Sequence, residues 1–221
     1  MSGILRWFAR LSLLLVLGLA ALVLAYRMAT PVSTLMLKRW VSNESIDRSF
    51  LSLERISANL VTAVVVSEDA RFCRHNGVDW TEMREVMDEA AEEGPTRGAS
   101  TITMQTAKNL FLWPSRSFIR KALEVPLALA IDAAWPKRRV LEVYLNIAEW
   151  GEGIFGAEAA ARRYFHKSAG DLSLREAALL SAALPNPHLR DPLHPTRRHA
   201  ALAASIMVRA RNAGNGLDCI H

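Results

Sequence analysis

Cysteine is scarce in this 221-residue chain, which holds only Cys73 and Cys219. They lie far apart, show no metal-ligand spacing and do not make a disulfide framework. One bond between them stays open. Arginine-rich runs interleaved with aromatics are missing, which argues against nucleic acid as a partner. Strand signals are sparse, so the fold is expected to be predominantly α-helical. What is present is a basic balance, 27 Lys+Arg against 22 Asp+Glu for a net charge of +5. That balance suits an anionic membrane surface or an acidic substrate. The length suits one anchor segment and one compact domain with a sizeable core.

Leu11 to Tyr26 is apolar apart from Ser12 and Gly18, and Arg6 and Arg10 precede it. With Trp7 and Phe8 counted in, it approaches the roughly 20 residues needed to span a bilayer. A cleaved signal peptide competes, since its apolar core is about 7–15 residues long and small residues sit near Ala20 and Ala25. The uncleaved anchor is preferred because the segment is longer than that and Leu-rich. Positive charge ahead of it places the N-terminus in the cytoplasm and the rest outside, with Arg27, Lys38 and Arg39 weighing against. The expected division is an anchor over 1–28, a linker over 29–50 and one domain over 51–221.

From Leu53 the spacing of Leu53, Ile56, Leu60 and Val64 predicts a helix that runs into Glu68-Asp69. Burial and like charge both raise a carboxyl pKa there, as a general base near neutral pH requires. His75 is expected to be satisfied by a backbone carbonyl, and Gly77 to supply positive φ. Asp79 and Glu82 have capping-box spacing, and Met83, Val86, Met87 and Ala90 follow at helical spacing, the two methionines as core. Glu92-Glu93-Gly94-Pro95 breaks the chain, and the stretch to Arg97 reads as a loose loop beside a site.

The central stretch runs from Gly98 to Glu124. Gly98-Ala99-Ser100-Thr101 resembles a helix start, where free N–H groups and hydroxyls favour an anion. Lys108 lies about two turns further on. Ser117 can cap the next helix, whose stripe is Leu123, Leu127, Ile131 and Ala134, with Pro126 inside it. Arg120, Lys121 and Glu124 share one face of its first two turns. Taken alone they would be an exposed salt bridge worth little. Further helices are expected over Lys137–Ala148, Ala157–Phe165, after the Ser173/Glu176 capping box, and from Thr196 to Arg211. Trp150–Gly156 reads as a glycine-rich turn. Phe111, Leu112, Trp113 and Phe118 suit either the core or a membrane interface.

Five ordered blocks together resemble the peptidoglycan glycosyltransferase family, in particular its monofunctional, membrane-anchored biosynthetic members. They are Glu68-Asp69 with Phe72, His75 and Gly77; GASTITMQTAKNLF at 98–111; Arg120-Lys121 with Glu124; Lys137 through Phe165, with LEVYLN and GEGIFGAEAAARRYF; and LSLREAALL with its prolines at 172–187. They cover nearly the whole part beyond the anchor. The chain departs from the pattern at Ala99, where many members have Gly, at Met104, where Gln is frequent, and at Ala70, where Arg is common.

The resemblance implies an all-α, lysozyme-like glycosyltransferase domain preceded by one transmembrane helix, with no penicillin-binding domain after His221. It implies polymerisation of lipid II at the bacterial inner membrane, by a single-pass protein whose catalytic domain is periplasmic. The 4-hydroxyl of the acceptor GlcNAc attacks C1 of the donor MurNAc, and undecaprenyl pyrophosphate leaves with inversion. Glu68 matches the family's base and Glu124 its second essential glutamate. Lys108, Arg120 and Lys121 fit the pyrophosphate, Ser100, Thr101, Gln105 and Asn109 the donor groove, and Asp69 either a cation or the order of its turn. Mg²⁺ or Mn²⁺ is expected on the pyrophosphate, with no all-protein metal site. Partners would be lipid II, the growing lipid-linked strand, the membrane and wall-synthesis or division proteins. Two other readings stand beside this one. A glycan-cleaving lytic transglycosylase or muramidase would also use a glutamate in a helical cleft, and a membrane-anchored scaffold would need no base.

Overall fold

The computed structural model describes residues 3–94, 98–115, 117–214 and 216–220. The loose loop expected at 95–97 lies outside them. Helix α1 (Gly3–Tyr26) is long and apolar enough to cross a membrane, and only its final turns meet the rest of the chain. There Val23 is buried, and the indole of Trp135 donates to the Val23 carbonyl at 2.8 Å. Arg139 donates to the Tyr26 carbonyl at 2.9 Å, and the Tyr26 ring stacks on Phe111. This helix is therefore fastened to the domain at its C-terminal end.

The stretch 29–50, which shows little periodicity, holds a short helix and a strand. In α2 (Thr34–Val41), Ser33 accepts from the Met36 N–H and Met36 is fully buried. The Thr34 hydroxyl donates to the Leu112 carbonyl at 2.6 Å. Strand β1 (Asp47–Arg48) pairs in parallel with β3 (Ile154–Phe155), which pairs antiparallel with β2 (Glu149–Gly151). The glycine-rich turn of the sequence is thus the hairpin of a small three-stranded sheet on a mostly helical protein.

The helix expected from Leu53 begins later, as α3 (Ala58–Glu68). A 3₁₀ turn covers Leu53–Arg55, Ile56 is extended, and Ser57 caps the helix by accepting from Asn59 N–H. Leu53, Ile56, Leu60 and Val64 are all buried, so the apolar spacing marks burial rather than one continuous element. In α4 (Trp80–Glu93), Asp79 accepts from the N–H groups of Thr81 and Glu82. Its stripe is not core, because Met83, Val86 and Ala90 are half-buried and Met87 is 65% exposed. A narrow apolar stripe flanked by charges covers the core instead of entering it.

Helices α5 (Ile102–Phe111), α6 (Phe118–Ala134) and α7 (Lys137–Ile147) form one packed group, with α5 against both others. Beyond α8 (Ala157–Phe165), α9 (Leu174–Ala183) packs against α3 and α10 (Arg197–Arg211). The Ser173/Glu176 capping box at α9 forms as expected. The buried face of α6 is Glu124, Leu127, Ala128 and Ile131, while Leu123 is exposed. Leu127 and Ile131 of the expected stripe are buried, but in the second turn a carboxylate with its own cations, Glu124, takes the inward position in place of Leu123. Gly77 has φ +80°, and a Cβ there would lie 2.7 Å from the Ala128 carbonyl oxygen. Only glycine lets this turn pack directly on α6. Cys73 and Cys219 are joined in a disulfide.

Candidate active site

The end of α3, the start and middle of α5 and the first turns of α6 meet through side-chain hydrogen bonds. Glu68 is the last residue of α3, a helix that buries Leu60, Val61, Val64, Val65 and Val66. Those side chains fix the helix and leave Glu68 half-buried at its end. Its Oε2 accepts from Gln105 Nε2 at 2.9 Å, and Gln105 Oε1 accepts from the Tyr144 hydroxyl at 3.1 Å. Burial pushes the Glu68 carboxyl above the ordinary glutamate range, while the Gln105 bond and the charges of Lys108 and Arg190 pull it back. The result is a carboxylate held in one orientation and made more basic by its surroundings.

Asp69 sits beside it but is buried and occupied. Its Oδ2 accepts from the Ile102 N–H, the first turn of α5, at 3.0 Å, and its carboxylate pairs with His75 Nε2 at 3.0 Å. His75 is therefore held by a carboxylate and not by a backbone carbonyl. Asp69 is the joint that fixes α5 against the end of α3. Thr101 is equally committed: it caps α5 by accepting from Met104 N–H and donates to the Gly77 carbonyl at 2.6 Å. Met104, one of the departures from the family pattern, is fully buried and faces the core.

The second carboxylate, Glu124, is 2% exposed. Arg120 Nη1 bonds its Oε1, and Lys121 Nζ donates to its Oε2 at 2.9 Å. Lys121 also reaches Ser100 Oγ at 2.5 Å, and Arg120 Nε reaches the Ser115 carbonyl at 2.6 Å. Lys108 is half-buried on the last turn of α5. Burial lowers its ammonium pKa most, Glu124 and Glu68 raise it, and Arg120 and Lys121 lower it. Three cations thus surround one buried carboxylate, an excess of positive charge at fixed positions. Such a cluster is built to receive an anion. Asn109 lies on the next position of α5, half-buried, and its backbone carbonyl accepts from Thr34 Oγ1.

The structure places Glu68, Asp69, Ser100, Thr101, Gln105, Lys108, Arg120, Lys121 and Glu124 at the meeting of α3, α5 and α6. Sequence reasoning did not single out two residues there. Tyr144 lies on the buried face of α7, and nothing local in the sequence marks it as the partner of Gln105. Arg190 follows Pro185 and Pro187 in an irregular stretch, and no pattern pointed to it. Among the described residues no cluster of three or more His, Cys, Asp or Glu has metal-ligand geometry. The nearby carboxylates, Asp69 and Glu124, already accept from protein donors. These residues do not fit a protein-built metal cage.

Residues 35–211 match the transglycosylase family. The chain is similar to the biosynthetic peptidoglycan transglycosylase of Brucella suis biovar 1 (strain 1330), at 50% identity over 199 residues, covering 90% of this chain and 89% of that protein. It is similar to the protein of the same name from Rhizobium meliloti (strain 1021), at 49% identity covering 97% and 94%. A third, from Nitrobacter hamburgensis, is 54% identical over 189 residues, covering 85% and 84%.

Proposed function

The chain belongs to the transglycosylase family, and from that membership we infer that it is a glycosyltransferase building the glycan strands of peptidoglycan. The substrate we propose is lipid II together with the growing lipid-linked strand. The observation that supports the chemistry best is that α5 stands between two carboxylates: Gln105 of α5 holds Glu68, while Ser100, just ahead of α5, meets Lys121, which with Arg120 pairs with Glu124.

A sugar hydroxyl is a poor nucleophile until a base takes its proton. In our reading Glu68 removes that proton from the 4-hydroxyl of the acceptor GlcNAc as the oxygen attacks C1 of the donor MurNAc. The bond from C1 to the pyrophosphate oxygen breaks, and the pyrophosphate keeps the electron pair. The configuration at C1 inverts. Gln105 and Tyr144 hold the base in register. Lys108, Arg120 and Lys121 meet the charge that grows on the leaving pyrophosphate. Glu124 holds two of those cations in place and acts as a positioning residue. Mg²⁺ or Mn²⁺ would enter on the pyrophosphate's own oxygens, and EDTA titration of the rate reads its contribution.

The surroundings suit a lipid-borne substrate. Helix α1 at about 1.5 Å per residue is long enough for a roughly 30 Å hydrocarbon core. Phe118 is 95% exposed, and Ile119 and Leu123 are exposed on the same first turns of α6 that carry Arg120, Lys121 and Glu124, with Trp113 exposed in the segment before that helix. We propose that this apolar edge meets the bilayer that holds the substrate. The Cys73–Cys219 disulfide fits an oxidising compartment. It supports a periplasmic domain on a single-pass inner-membrane anchor with a cytoplasmic N-terminus.

The test is incubation of detergent-solubilised protein with labelled lipid II and Mg²⁺ beside Glu68→Gln, read by gel separation of glycan strands. Polymer from the wild type and none from the variant is expected. Polymer from both would remove Glu68 from its role. No polymer from well-folded wild type would overturn the reaction itself.

A further inference from the structure

Glu68 sits at the C-terminal end of α3, where the last carbonyls of a helix have no intrahelical N–H to accept from. The chain leaves the helix at Asp69, whose backbone is extended with φ −161°. The Ala70 N–H that would continue the ladder to Val66 therefore lies beyond α3. The Val66 carbonyl accepts instead from Arg209 Nη1 at 2.8 Å. Arg209 stands 143 residues away in sequence, on the last turn of α10. Ala203 and Ile206 of that helix are buried, and α10 packs on both α3 and α9. Arg209 follows one turn after Ile206, so a fixed helix delivers its guanidinium to the end of α3. A cation there complements the negative end of the helix dipole and makes a charge-assisted hydrogen bond. Beyond α10 the chain returns to the other side of Glu68, where Cys219 is bonded to Cys73 in the 3₁₀ turn Phe72–Arg74. The C-terminal part of the chain thus grips the backbone at Val66 ahead of Glu68 and at Cys73 after it.

This inference rests on the polymerase reading of Glu68 as the base. We propose that Arg209 is a positioning residue for that base, holding the last turn of α3 so that the Glu68 carboxylate stays in register with Gln105 and with the acceptor hydroxyl. The buried valines of α3 fix the helix up to Val66, but Glu68 is its final residue and only half-buried. Helix ends fray when their carbonyls turn to water. Without Arg209 the Glu68 carboxylate spends less time on Gln105 Nε2, its partner at 2.9 Å. A base displaced by about 1 Å can cost as much as 10²-fold in rate. The cations assigned to the pyrophosphate sit on α5 and α6, whereas α10 packs on α3 and α9. Loss of Arg209 therefore acts on the chemical step and spares substrate binding. Arg209 is itself exposed, so little core packing depends on its side chain.

The test measures kcat and KM for labelled lipid II with detergent-solubilised full-length wild type, Arg209→Gln and Arg209→Lys, each also in a Gln105→Leu background. In Arg209→Gln, kcat should fall about tenfold with KM within about twofold of wild type, the pattern of a lost transition-state interaction. The acidic limb of kcat/KM should move to higher pH, because the Gln105 bond that favours ionised Glu68 is weakened while the charges of Lys108, Asp69 and Arg190 remain. Arg209→Lys keeps the charge and a donor, so its loss should be only about threefold. In the Gln105→Leu background either substitution should cost less than about twofold more, since coupled residues are not additive. If Arg209→Gln does not fold, Arg209→Lys carries the comparison between the two backgrounds. The same loss in both backgrounds, a rise in KM at constant kcat, or a lower melting temperature with kcat unchanged would overturn the proposal and leave Arg209 a helix cap alone. No polymer from wild type would instead sink the reading on which it rests.

Discussion

Gln105 joins Glu68 to Tyr144: its amide nitrogen donates to the carboxylate at 2.9 Å and its amide oxygen accepts from the phenol at 3.1 Å. The bond to Glu68 favours the ionised carboxylate against burial, which disfavours it. Removing it lets the Glu68 pKa rise further. A base works only when ionised, so the acidic limb of the kcat/KM–pH profile should move to higher pH in Gln105→Leu. At neutral pH we expect about a tenfold loss of rate. Tyr144→Phe should move the limb the same way by less, because Gln105 keeps its donor but loses its orientation. A limb that stays put in both variants would detach this relay from the base.

Glu68→Gln should separate activity from stability. Its raised pKa means that the folded state holds the proton more tightly than the unfolded chain does. Stability from that difference is present at low pH and is lost as pH rises through the folded value. A neutral glutamine never ionises, so the variant should melt higher than wild type at pH 7–8, with the advantage vanishing in acid. The rate should fall by about 10²–10⁴. A lower melting temperature at neutral pH would show that Glu68 is a structural anchor.

The two glutamates were legible in the sequence for different reasons. Glu68 ends an apolar helix, and its burial follows from the residues before it. Glu124 shares a helical face with Arg120 and Lys121, but spacing alone could not say whether that face looks at water or at the core. Burial at 2% settles it inward, in the place expected for Leu123. Helices α6 and α9 could be read from their caps Ser117 and Ser173, because a cap is a local event. What could not be read depends on contacts distant in sequence: the Asp69–Ile102 bond and the β1–β3 pairing. The methionines of α4 misled because helical spacing marks a face but not what covers it.

Glu124→Gln should affect Lys108 as well as its own two partners. Burial already lowers the Lys108 ammonium pKa, and Glu124 opposes that. Without the carboxylate charge the pKa falls further, so Lys108 loses its proton earlier as pH rises. The alkaline limb of kcat/KM should therefore move to lower pH. Arg120 and Lys121 lose a buried counter-charge at a cost of about 2 kcal/mol, less than for a fully buried pair because Lys121 is half-open to solvent. An alkaline limb unchanged in this variant would break the link between Glu124 and Lys108.

Reduction of the Cys73–Cys219 bond should reach the active site. The bond closes a separation of 146 residues, for which chain-entropy arguments give roughly 5 kcal/mol and measured losses run about 2–5 kcal/mol. Part of the C-terminal segment stays docked without it, since Ile220 is buried and its carbonyl accepts from Arg138 Nη1 at 2.9 Å. We therefore expect a loss near the lower figure in Cys219→Ser or in dithiothreitol, read as a fall in melting temperature. The local consequence is more specific. Cys73 lies in the 3₁₀ turn Phe72–Arg74, directly before His75. His75 holds Asp69, and Asp69 holds the first turn of α5, which carries Gln105 and Lys108. Loosening the turn should lower kcat at temperatures where the protein is still folded, by about the same tenfold as removing Gln105 from Glu68. If kcat is unchanged while the melting temperature falls, the disulfide serves only to fasten the C-terminus, and the packing of Phe72 and Gly77 suffices to hold the turn.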